Sequence, residues 1–110
     1  MFLYGTDILS IEWDKQVHEW EKERLMLRGS SGDQNTAALH VLVQVMEFMD
    51  EIFTDISEAS LEIQIADLLN WCEQEIRRNP VISDYSRGYV SRLHKCIEEI
   101  RGVQNRTIGG

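Results

Sequence analysis

The chain predicts an all-α fold, an antiparallel four-helix bundle, on three observations. Apolar residues recur at intervals of three and four through four long windows. A single Pro and seven Gly separate those windows, too little turn chemistry for a small all-β fold. An apolar content of 43% over 110 residues builds one core but not two, so residues 1–110 read as a single domain.

The first helix spans about 11–28, with Ser10 as its expected N-cap and Trp13, Val17, Trp20 and Arg24 at helical spacing. RGSSGDQN, residues 28–35, carries no apolar residue and reads as a loop. Asn35 or Thr36 caps the second helix, about 36–54, whose polar positions narrow to His40, Gln44, Glu47, Asp50 and Glu51. A helix this apolar needs cover on most sides, and with the two Trp of the first helix it predicts a homodimer. The short connection 54–60 holds Ser57 and Ser60 as possible caps. The third helix, about 60–78, buries Leu61, Ile65, Leu68, Leu69, Cys72 and Ile76 and stops at Asn79-Pro80. Ser83 or Asp84 caps the fourth, about 84–101, with Tyr85, Tyr89, Val90, Leu93, Ile97 and Ile100 inward; Gly102 is the expected stop.

A net charge of −8 argues against sequence-independent binding to a nucleic acid polymer, which depends on Lys and Arg meeting phosphates. No apolar run is long enough to span a membrane, and the N-terminal MFLYGTDIL lacks the positive flank of a signal peptide. Cys72 and Cys96 lie inside helical patterns without a CxxC, as buried free thiols of a cytoplasmic protein do.

Between Gly29 and Ile76 there is no Lys or Arg, yet ten carboxylates occur there. Unpaired acids call for an external counter-charge: a metal, a basic partner or water. If the second and third helices fold back about residue 57, positions summing to 114 lie side by side. Glu47 then faces Asp67 and Asp50 faces Gln64. Converging carboxylates repel unless protonated or bound to a cation, and an all-oxygen set favours Mg²⁺ or Mn²⁺. The alternative is that both stripes face solvent.

Glu47-Phe-Met-Asp50 and Gln64-Ile-Ala-Asp67 resemble the Glu-x-x-Glu and Glu-x-x-Asp pairs of the MazG-like all-α nucleoside triphosphate pyrophosphohydrolases. VMEFMDEI and IADLLNWC resemble that family's segments around the same pairs, and the likeness covers roughly residues 8–78. Met46 and Asp50 stand where the family has Glu, and Gln64 replaces a ligating Glu. The resemblance implies Mg²⁺ on Glu47, Asp50 and Asp67, with Gln64 beside them. It implies water attack between the α- and β-phosphates of a nucleotide, Glu51 as general base, and Arg92 and Lys95 on the phosphates. The competing expectation is a non-catalytic acidic interaction protein, such as an inhibitor, immunity protein or phage-type antagonist, presenting its carboxylates to a basic protein partner. Two lesser signals are Arg87 and His94, with six residues between them as in HEPN ribonucleases, and the i,i+4 pair His94 and Glu98.

Overall fold

Local chemistry sets where each helix begins and ends. The computed structural model describes residues 4–54 and 58–108, which form helices α1 Tyr4–Arg28, α2 Asp33–Thr54, α3 Glu58–Arg78 and α4 Asp84–Ile108. α1 begins well before Ile11, so Ser10 is an interior helical residue and not a cap. α2 also starts earlier than expected. Gly32, at φ 106°, bends the chain so that its carbonyl accepts from both the backbone N–H and the hydroxyl of Thr36, each at 3.0 Å. That φ suits glycine and disfavours any L side chain. The expected cap Ser57 lies outside the described residues.

At the start of α4, Ser83 and Ser86 cap each other. The Ser83 hydroxyl accepts from the Ser86 N–H at 3.1 Å, and the Ser86 hydroxyl accepts from the N–H groups of Ile82 and Ser83 at 2.9 Å. This is a capping box with Ser in the place of Glu. Gly102 does not end α4. Val103 is fully buried and continues the inward stripe, and Arg106 donates to Glu12 of α1 at 2.8 Å, so the last turns have both packing and a tether.

α2 and α4 form the centre of the molecule and make its widest contact. α1 runs antiparallel to α4, with Trp20 near Glu99, Glu23 near Arg92 and Glu12 near Arg106. α3 is antiparallel to α4 as well, Glu73 meeting Arg101 and Arg77 lying in one groove with His94. α1 and α3 therefore flank a parallel α2–α4 pair, in an assembly of 50 × 28 × 24 Å. The core holds Trp13, Trp20, Leu42, Met49, Leu68, Leu93 and Ile100, each essentially inaccessible. Burying an aliphatic or aromatic side chain of this size contributes about 1.5–3 kcal/mol.

Trp13 and Trp20 of α1 are both buried within the chain. The α2–α3 pairing is the loosest of the neighbouring contacts, both helices packing their apolar stripes toward α4. Phe48 of α2 and Trp71 of α3 meet with ring centroids 5.4 Å apart.

Candidate functional site

Glu47, Asp50 and Asp67 are all exposed, and Gln64 is half-buried. Among the described residues no three His, Cys, Asp or Glu side chains stand together as a metal would need. Glu47, Asp50 and Asp67 are thus not gathered into one compact set of ligands. Glu47 and Asp50 do share a groove, but across it stand Val17 and Arg24 of α1 and not α3.

The acids are nonetheless presented in a consistent way. Glu47, Glu51, Glu62 and Asp67 are exposed and form no ion pair with another described residue. Several of the cations are engaged elsewhere. Arg24 holds Glu21 at 2.6 Å, Arg106 holds Glu12 at 2.8 Å, and Arg78 lies 3.5 Å from Glu75. The Arg106 hydrogen bond sets the Glu12 carboxyl below the usual range, and Arg24 does the same for Glu21.

Arg92, expected on a phosphate, is buried instead. Its guanidinium bridges Glu23 of α1 at 2.7 Å and Glu99 of α4 at 3.0 Å, and the Trp20 indole donates to the same Glu99 at 2.8 Å. A buried Arg with two carboxylates and no free donor edge ties helices together. Lys95 is exposed and sits 3.8 Å from Glu23, at the rim of that network. Arg87 and His94 are both exposed.

A polar cluster escaped the sequence reading. Tyr85 and Tyr89 stack at 6.0 Å between centroids. The Tyr85 hydroxyl is 2.7 Å from His40 Nδ1, while the Tyr89 hydroxyl donates to Glu75 at 2.7 Å and accepts from Gln44 at 3.3 Å. Burial, then the Glu75 carboxylate, pushes the Tyr89 hydroxyl up to about 12. The signal for it was the i,i+4 spacing of the two tyrosines, which sets both rings on one helix face. Cys72 and Cys96 are buried free thiols, each pushed up to about 12, chiefly by burial.

No helix among the described residues is long and apolar enough to cross a membrane. Set against protein-family models, curated proteins and solved structures, the chain matches none.

Proposed function

We propose that this chain is a non-catalytic acidic interaction protein whose α2 and α3 carboxylates meet a basic protein partner. The observation that carries this reading is the exposed placement of Glu47, Glu51, Glu62 and Asp67, none of them ion-paired with another described residue, in a chain of net charge −8. Such a field draws a cationic partner from a distance and accelerates its docking, and it does so less as salt screens it. The nucleotide-hydrolase reading keeps Glu47 and Asp50 on one helix face but, among the described residues, lacks a gathered third carboxylate.

The test is binding of a fluorescent poly-lysine of about thirty residues to the wild type and to a variant carrying Glu47→Gln, Glu51→Gln, Glu62→Gln and Asp67→Asn. Binding that weakens steeply with salt, and at least tenfold in the variant, supports the reading. Equal binding by both proteins refutes it. A parallel thermal melt weighs the rival: a midpoint raised by Mg²⁺ in the wild type but not in Glu47→Gln would favour nucleotide chemistry.

A further inference from the structure

Two shallow depressions on one side of the molecule share Val17 and Met46 and so form a single furrow between α1 and α2. Their volumes are about 260 and 550 Å³. The floor is Val17, Val43 and Met46, each half-buried, over the buried Met49. On the banks stand Asp14 and Glu21 of α1, interleaved with Lys15, His18 and Arg24, and Glu47 and Asp50 of α2. From Asp14 to Arg24 the furrow follows α1 for ten residues, ~15 Å, the length of about three helical turns.

We propose that this furrow is the docking site for one amphipathic helix of a basic partner, a choice that rests on the interaction reading above. An incoming helix lays an apolar i, i+3/i+4, i+7 stripe onto Val17, Val43 and Met46, as helices do in hydrophobic grooves. Methionine suits such a floor because its unbranched thioether adapts to the side chains above it. Lys or Arg on the two flanks of that helix then faces carboxylates on both banks. Of the cations along the furrow, Lys15 lies 3.4 Å from Glu12 and Arg24 is held by Glu21 at 2.6 Å, which leaves Asp14 and Glu47 to face the incoming Lys or Arg; this net negative charge selects a basic helix over an acidic one.

The probe is a 16-residue peptide with Leu at i, i+3/i+4, i+7 spacing and Lys elsewhere, labelled at one end. A scrambled peptide of identical composition and a Glu-for-Lys version are its controls. Anisotropy titrations use the whole chain, Met46→Lys, the volume-conserving Met46→Gln, and Glu98→Lys at an exposed position of α4, each checked for an intact thermal transition. The expected result is that the patterned peptide binds at least tenfold more tightly than the scramble. Met46→Lys should remove that preference, Met46→Gln should reduce it severalfold, and Glu98→Lys should change it less than twofold. Equal binding of patterned and scrambled peptides, or a preference that survives Met46→Lys, overturns the furrow but leaves the acidic interaction reading standing. If neither cationic peptide binds, that underlying reading falls as well. A concentration-dependent mass that doubles in sedimentation and returns to monomer in Met46→Lys also overturns the proposal, because the occupant is then a second copy.

Discussion

Gly88→Ala should destabilise the protein even though alanine is the better helix former. Gly88 lies in the second turn of α4, where the chain crosses α2. A Cβ built there meets the Gln34 backbone at 2.6 Å to both Cα and O and 3.0 Å to C. Ordinary contact begins at 3.4 Å, so the two helices must separate by about 0.8 Å at their widest interface. The obstructing atoms are backbone and cannot rotate aside. Overpacking of this kind costs about 1–3 kcal/mol, and removing the glycine from a helix interior returns about 1 kcal/mol. With the rigid neighbour placing the clash at the upper end, the net loss is about 1–2 kcal/mol, or roughly 4–8 °C in Tm for a chain of this size. Gly102→Ala in the same helix is the internal control. Its Cβ meets only the Arg106 side chain, at 3.5 Å, so it should stabilise by ~0.5–1 kcal/mol. Differential scanning calorimetry of both variants decides the matter. If Gly88→Ala melts higher than the wild type, the close approach of α2 and α4 is wrong.

Three further outcomes follow from the same geometry. Arg92→Ala leaves Glu23 and Glu99 facing a buried void without their cation, and urea denaturation should show a loss of about 3 kcal/mol, discounted because both carboxylates are partly exposed; an unchanged midpoint would show that the bridge adds nothing. Ser86→Ala removes the hydroxyl that accepts from the Ile82 and Ser83 N–H groups and should cost about 1–2 kcal/mol, whereas Ser86→Thr should recover part of it. Alkaline stability should fall in two stages. The folded thiols of Cys72 and Cys96 hold their protons to about 12 against an ordinary 9.0, so the unfolded chain ionises first and their contribution, complete below pH 9, is lost as pH rises toward 12. Tyr89, raised from 10.0 to about 12, adds its own loss above pH 10. Chemical denaturation at pH 8, 9 and 10 measures the first stage, and Cys72→Ala/Cys96→Ala should flatten it.

The inward stripes of α3 and α4 were legible because Ile65, Leu68 and Cys72, and likewise Leu93, Ile97 and Ile100, recur at helical spacing with nothing to compete for the reading. Gly102 misled because a glycine stops a helix only where packing does not continue, and Val103 continues it. Periodicity says which residues share a face, but it does not rotate one helix against another. That rotation bears on the candidate site: α2 and α3 both pack their apolar stripes toward α4, and Glu47, Asp50 and Asp67 stand exposed. Arg92 was misplaced for a related reason. A cation on an apolar helix reads as exposed until its partners on a distant helix, here Glu23, are known.

The looseness of the α2–α3 pairing has a consequence for how the chain can be divided. α1–α2 and α3–α4 are two helical hairpins, each sequence-local, and the surface that joins them is chiefly α2 against α4. Severed between Thr54 and Glu58, the two halves retain the apolar faces that recognise each other. They are therefore suited to act as complementing fragments, each incomplete alone, whose reunion restores the fold and reports that they have met.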